Sequence, residues 1–498
     1  MHFRYKKHTA LLVAFMIVLS AGCGDQGGKT PENVPTPTVA ITNEPTATPI
    51  ATNTPTVTPI PTATSTPTPT VSPTPTERPK IELLPKGTVP EFPCTGYVAC
   101  HDLTLRNTED PKEKMMTLYN GDKVTVTGNS KQSKSFYSCI YEGQEYLINK
   151  NYVSFDKPFE YDYNDSFKIV DVNDLDYSYK DMESDIFELA KAYPDLFSYY
   201  SAGQTPDNRE LYICTLGNPD APKCIYYTGT AHAREYCCTH LLMMMAEYYL
   251  RYYEEGYYKD VYYGDLLDQV CVVMMPMQNP DGVEIAISGP SAINNLALRS
   301  KIQSMYERED AAFYKYYGMH NSNYYKRWKA NAEGLDINRN YPFGWEQTNE
   351  SSRPSSSGYK GEEPLSAPEV KAQIEVLYKL MEEKDLVFAV SYHATGNDLS
   401  WDVGQTGEFR DECIRAVDEL VFVTSYERNM NDMKLDNEVP LAGYTDWLNG
   451  EEMVPSVTIE IFPLSVYLAV NKPEMYEAWL ANREVFAVLA ELYYERKD

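Results

Sequence analysis

Basic residues are scarce in this chain. Only 44 lysines and arginines stand against 72 aspartates and glutamates, a formal net charge of −28. Docking on a phosphate backbone needs a basic face, so nucleic acid is excluded as a partner. Long apolar runs are missing near the N-terminus: Ala10 to Leu19 is shorter than the roughly 20 residues a membrane span requires. From Thr30 to about Lys80 there is almost no charge and no aromatic side chain. No His-Glu-x-x-His, Cys-x-x-Cys or Gly-x-Ser-x-Gly occurs, which removes the main rival hydrolase readings. Histidine is sparse too, and of seven only His232, His240, His320 and His393 lie beyond residue 165.

What is present divides the chain, which at 498 residues exceeds one ordinary domain. Residues 1–23 read as a bacterial export signal, with Arg4, Lys6 and Lys7 before the apolar run and Ser20-Ala-Gly-Cys23 after it. Small residues leading into a cysteine resemble the lipobox of bacterial lipoproteins, although leucine falls at Leu19, one place early. The expectation is an extracellular, cell-surface protein held to the membrane by a lipid on Cys23. Residues 24–80 are a Thr/Pro-rich linker that cannot bury enough apolar surface to fold and is expected to be disordered. At about 3.1 Å per residue in polyproline form, its roughly fifty Thr/Pro-rich residues would reach about 150 Å. Residues 95–156 alternate in short segments split by turns, such as Lys123-Val-Thr-Val-Thr127 before Gly128-Asn129, and read as a small all-β barrel. Leu103-Thr-Leu-Arg-Asn107 and Tyr146-Leu-Ile-Asn-Lys-Asn-Tyr-Val153 resemble bacterial SH3-like domains; wall binding and a mere spacer both remain open.

Ten cysteines in an exported chain raise the question of disulfides. Cys94 and Cys100, flanking a short loop, are the pair expected to bridge, while Cys237 and Cys238 are expected to fill core space. Among the 42 tyrosines, pairs such as Tyr248-Tyr249 and Tyr252-Tyr253 read as compositional bias rather than as a carbohydrate platform.

Beyond Tyr177 helical and strand patterns alternate, which predicts an α/β sheet with helices on both faces. Helices are expected over 181–193, closed by Pro194, over 241–250 and over 367–381. Strands are expected over Cys224–Thr228, Val270–Pro276, Asp385–Tyr392 and Val457–Ile461. At the end of the first strand comes Gly229-Thr-Ala-His-Ala-Arg-Glu-Tyr236, in which His232 and Glu235 can supply two of the three protein ligands of a catalytic zinc. His393 offers the third and Glu460 a carboxylate base. Each ends a β-like run, so all can meet at one sheet edge.

In order, His232-x-x-Glu235 with Arg234 inside it, Asn279-Pro-Asp-Gly282, Gly334-Leu-Asp-Ile-Asn-Arg-Asn340, Asp446-Trp447 and Glu460 resemble the zinc carboxypeptidase family. The resemblance covers about two thirds of the chain. It implies a catalytic domain over residues 165–498 with a mixed eight-stranded sheet flanked by helices, and one Zn2+ per chain on His232, Glu235 and His393. It also implies Glu460 as general base, Arg234 as an oxyanion donor, and Asn338 with Arg339 as the clamp on a substrate carboxylate. His240 is expected to be structural, and residues 285–325 look like an insertion. Three positions depart from the pattern. Lys329 stands where a second oxyanion arginine is usual, with Arg327 a displaced alternative. Glu438 occupies the place of a mobile substrate-binding tyrosine, for which Tyr444 is a candidate replacement. Thr445 lines the specificity pocket, arguing against both a greasy slot and a strongly acidic floor.

Arg327-Trp-Lys-Ala-Asn331, Gly443-Tyr-Thr-Asp-Trp447 and Tyr359-Lys-Gly361 more closely resemble the bacterial branch that includes γ-D-glutamyl-diaminopimelate peptidases. That branch implies a peptide substrate drawn from cell-wall stem peptides. A general extracellular carboxypeptidase feeding on nutrient peptides, and a catalytically dead wall-binding lipoprotein, are the competing readings.

Overall fold

The computed structural model describes residues 78–348, 351–401, 406–429, 441–463 and 470–496. Cys23, the Thr/Pro-rich linker up to residue 77 and Glu438 lie outside the described residues. Ile81–Asp498 form one compact unit.

Its first part is a seven-stranded antiparallel sheet: β1 (Cys94–Val98), β2 (Asp102–Arg106), β3 (Lys114–Tyr119), β4 (Lys123–Asn129), β5 (Phe136–Tyr141), β6 (Gln144–Asn149) and β7 (Val153–Ser154), in the order β3-β2-β6-β5-β4-β1-β7. Strand periodicity builds its core. In β4, Val124 and Val126 face inward while Lys123, Thr125 and Thr127 face water. Leu105, Val126, Cys139 and Ile148 meet in the middle. The expected Cys94–Cys100 bridge is not formed, and both are free thiols. β1 carries the chain straight away from Cys94 at about 3.3 Å per residue, beyond the roughly 7 Å that a disulfide tolerates between Cα atoms. Cys100 Sγ bonds to the Asp102 carbonyl instead, at 3.1 Å.

The segment joining this sheet to the rest is sealed by aromatics. Phe159 packs on Tyr252, Tyr161 on Tyr248 and Phe167 on Trp479, with ring centroids 5.0–5.2 Å apart. The tyrosine pairs are therefore core, not compositional noise: Tyr248, Tyr249, Tyr252 and Tyr253 are all buried. Beside them the buried carboxylate of Glu247 accepts from the backbone N–H groups of Lys168, Ile169 and Val170 at 2.6, 3.0 and 2.8 Å.

The second part is a mixed eight-stranded sheet. It comprises β8 (Phe197–Gln204), β9 (Glu210–Leu216), β10 (Lys223–Gly229), β13 (Val270–Met275), β14 (Asp385–Ala394), β15 (Asp398–Ser400), β16 (Glu427–Arg428) and β17 (Ser456–Ile461). The hairpin β11 (Tyr257–Tyr258) and β12 (Val261–Tyr262) stands apart. Strand order is β16-β15-β17-β14-β10-β13-β9-β8, with β13, β10, β14 and β17 parallel. Alternation along β10 shows both faces covered. Ile225 and Tyr227 join a core with α2 (Cys237–Arg251), and Cys224 and Tyr226 one with α5 (Pro368–Glu383). Helix α1 (Tyr179–Ala192) starts at a capping box of Ser178 and Asp181 and stops just before Pro194. Helix α3 (Pro280–Ser288) begins within the Asn279-Pro-Asp-Gly282 motif, and the stretch 285–325 holds its last turn and α4 (Leu296–Tyr317). Two more helices, α6 (Gly407–Thr424) and α7 (Lys472–Asn482), share the α2 core with α8 (Val485–Tyr493).

Candidate metal centre

β10 has β13 on one side and β14 on the other, so chain progression reverses there. That is where open α/β sheets leave a crevice at their strand ends. Past Gly229 the chain turns through Thr230 in the left-handed region (φ 59°). The Thr230 hydroxyl lies 3.1 Å from the Glu235 carbonyl and 2.8 Å from Thr239 Oγ1, holding the loop. A short 3-10 turn, Ala233–Glu235, then brings His232 and Glu235 to one side. Asn279, the N-cap of α3, ties three segments: its Nδ2 donates to the carbonyls of Ala231 and Lys329 at 3.1 and 3.2 Å while its Oδ1 accepts from Gly282 N. A Cβ on Gly282 would lie 2.5 Å from the Ala330 carbonyl and 2.7 Å from Ala233 Cβ, so only glycine fits.

His393 lies within β14, paired with Glu460 of β17. Glu235 Oε1 is 3.1 Å from His232 Nδ1, Glu235 Oε2 is 3.0 Å from His393 Nδ1, and the two Nδ1 atoms are 3.1 Å apart. All three side chains are buried, and their donor atoms lie within 4.8 Å of one another. Lone pairs crowded this closely away from water call for a shared cation. Two imidazoles and a carboxylate suit zinc with a fourth position open, whereas magnesium and calcium prefer oxygen alone.

Behind His232 stands Asp336, a residue the motif contained but whose role sequence reasoning missed. Its Oδ1 is 3.4 Å from His232 Nε2, and its Oδ2 accepts from Gly358 N at 3.0 Å. A carboxylate on the far nitrogen fixes the imidazole tautomer that leaves Nδ1 free to ligate. Burial opposes ionisation of Asp336, but His232, with Arg339 and Lys329, outweighs it and holds the carboxyl well below its ordinary value. Glu235 is likewise held low by His232 and His393 against its burial. Glu460 goes the other way. Burial pushes its carboxyl up to about 7, and the pull of His393 and Lys329 is countered by Glu235 and Asp398.

The other expected residues gather around this centre. Ala233 N and Arg234 N donate to the carbonyls of Lys329 and Trp328 at 3.1 and 3.0 Å, so the Arg234 and Lys329 loops run side by side. Half-buried Lys329 is felt at both Glu460 and Asp336, and Arg327 is exposed. Asn338 Oδ1 accepts from Tyr444 N at 3.0 Å, and Arg339 Nη1 donates to the Asn338 carbonyl at 2.9 Å. Thr445 Oγ1 meets Thr458 Oγ1 at 2.7 Å. Tyr444 does not reach into the crevice; it is buried with its ring 5.7 Å from Tyr341. His240 is structural, stacked at 4.6 Å on Tyr177, and burial lowers it to about 4.

A sheet edge presenting a metal triad beside an acid is the class of a metallohydrolase. The chain belongs to the zinc carboxypeptidase family, whose model matches residues 182–461, more than half of its length. It is 29% identical over 288 residues to the gamma-D-glutamyl-L-diamino acid endopeptidase 1 of Lysinibacillus sphaericus, covering 57% of this chain and 65% of that protein. It is 27% identical over 223 residues to metallocarboxypeptidase A of Trichophyton rubrum, covering 44% and 46%. The chain thus spans less than two thirds of either relative. Among solved structures, thrombin activatable fibrinolysis inhibitor is similar at 17% identity and a TM-score of 0.49, covering 70% of this chain and 89% of that one.

Proposed function

We propose that this peptidase is an extracellular, zinc-dependent carboxypeptidase that trims cell-wall stem peptides near a free carboxylate. The observation that carries the chemistry is the His232–Glu235–His393 triad with Glu460 paired beside His393. A zinc ion held by those three residues would polarise the scissile carbonyl and lower the pKa of water toward about 7. Glu460, half-buried and raised to about 7, takes a proton from the attacking water and returns it to the leaving amine. Arg234 and Lys329 face the negative charge that grows on the carbonyl oxygen. Arg339, with Asn338 beside it, receives the substrate carboxylate as a guanidinium fork. Thr445 and Thr458 offer hydroxyls where an apolar floor would leave a polar side chain unpaired.

The wall substrate is supported by the Lysinibacillus relative, named for a γ-D-glutamyl-diamino acid bond. In this reading Cys23 bears the lipid, residues 24–80 are the stalk, and residues 95–156 are an SH3-like module that keeps the enzyme near its substrate. The test is to incubate the purified protein with muropeptides and with a C-terminal peptide library and read products by mass spectrometry. Cleavage of stem peptides supports the reading. Equal or better cleavage of ordinary L-peptides ending in Phe or Leu replaces it with a general carboxypeptidase.

A further inference from the structure

β15 runs antiparallel to β17 with Asp398 opposite Glu460 and Ser400 opposite Thr458. On the other side of β17, β14 sets His393 opposite Glu460 and Ser391 opposite Thr458. Directly paired residues share one face of a sheet. One row across three strands therefore runs His393, Glu460, Asp398, and the next runs Ser391, Thr458, Ser400, with Thr445 bonded to Thr458. Asp398 stands in line with a metal-triad histidine and the base.

The buried Oδ1 of Asp398 has no hydrogen-bond partner among the described residues. Its electrostatic neighbours are acids, Glu427 and Glu460, and burial with Glu427 raises its own carboxyl above the ordinary value. The close approach is built in. A Cβ on Gly396 would lie 2.6 Å from Asp398 Oδ2 and 2.8 Å from Glu460 Cβ, so glycine alone lets the two acids share this space. A buried carboxylate oxygen without a donor, beside other carboxylates, is costly, and a cation would supply the missing partner. Asp398 is not one of the clustered donors His232, Glu235 and His393.

We propose that Asp398 is a specificity-determining residue that receives a primary ammonium group carried by the substrate beside the scissile bond, as on lysine or a diamino acid. This rests on the peptidase reading above and sharpens it. The floor at Thr445 is neutral, and the acid that selects an amine comes from the neighbouring strand. Placement in the row of Glu460 keeps the amine close to the attacked carbonyl.

The test compares two peptides identical except that the side-chain amine is free or acetylated, using the zinc-reconstituted full chain. The pair is made in two backbones, a γ-D-glutamyl stem peptide and an ordinary L-peptide ending in lysine. Wild type is expected to favour the free amine in kcat/KM by about tenfold or more, as a charged hydrogen bond gives. Asp398→Asn should bring the ratio near one, and Asp398→Glu should keep a preference. Each ratio is internal to one variant, so partial misfolding cancels. A wild-type ratio near one, or an unchanged ratio in Asp398→Asn, overturns the proposal while the peptidase reading stands. Cleavage in the L-peptide backbone alone overturns the wall substrate but not Asp398, and cleavage in neither overturns both.

Discussion

His393 and Glu460 sit at paired positions on adjacent parallel strands, yet the proposed mechanism gives them different tasks. The imidazole turns Nδ1 toward Glu235 and His232, while the carboxylate is left without a strong cationic partner and is raised to about 7. Their variants should separate accordingly. His393→Ala removes one of three donors and is expected to lose most bound zinc by elemental analysis; full retention would reassign the ligand set. Glu460→Gln keeps size and polarity but cannot take a proton. It is expected to keep its zinc and its melting temperature while losing turnover by roughly 10²–10⁴-fold. Activity within about threefold of wild type would place the base elsewhere.

At the scale of elements, the helix after the metal-binding loop has two roles. Helix α2 begins at Cys237, directly behind the turn that presents His232 and Glu235. Ten residues on, its Glu247 collects three backbone N–H groups of the joining segment. Removing one buried acceptor strands several donors at once, each costing about 1–3 kcal/mol. Glu247→Ala should therefore lower the unfolding free energy by about 3 kcal/mol or more, read from urea titration. A change under about 1 kcal/mol would mean that water replaces the carboxylate there.

For the whole molecule, one buried acid links stability to pH. Glu369, at the start of α5, is wholly buried, accepts from Asn331 Nδ2 at 3.2 Å, and is raised by burial from 4.5 to about 8. Between those values the folded chain holds a proton that the unfolded chain has released. Its contribution is therefore complete below about pH 4.5 and is lost as pH rises through about 8. Glu369→Gln removes this dependence, and its melting temperature should fall less than that of wild type between pH 5 and 8. Parallel curves would show that the carboxyl is ionised in the folded state. At the other end of the chain, the proposed lipid on Cys23 makes a separate prediction. Cys23→Ser should release the protein from the membrane fraction, since among the described residues no helix is long and apolar enough to span. A soluble wild-type product would refute lipidation.

The sequence by itself determined the ingredients: local patterns and side-chain chemistry that need no partner. Period-two and helical patterns set β10, β13, β14, β17 and α1 to within a few residues, because a strand or amphipathic helix buries whichever face its own residues make apolar. His232, Glu235, His393 and Glu460 were legible as donors and acid because metal binding and proton transfer demand those groups. Tertiary structure decided what depends on neighbours distant in the chain. The pairing of β14, β17 and β15 made a row of His393, Glu460 and Asp398 from three separate segments. The fold also placed Asp336 behind His232, set Lys329 close enough to act on Glu460 and Asp336, turned Tyr444 into the core and left Cys94 and Cys100 as free thiols. Strand order, register and burial set those outcomes, and they are properties of the assembled sheet rather than of any stretch of residues.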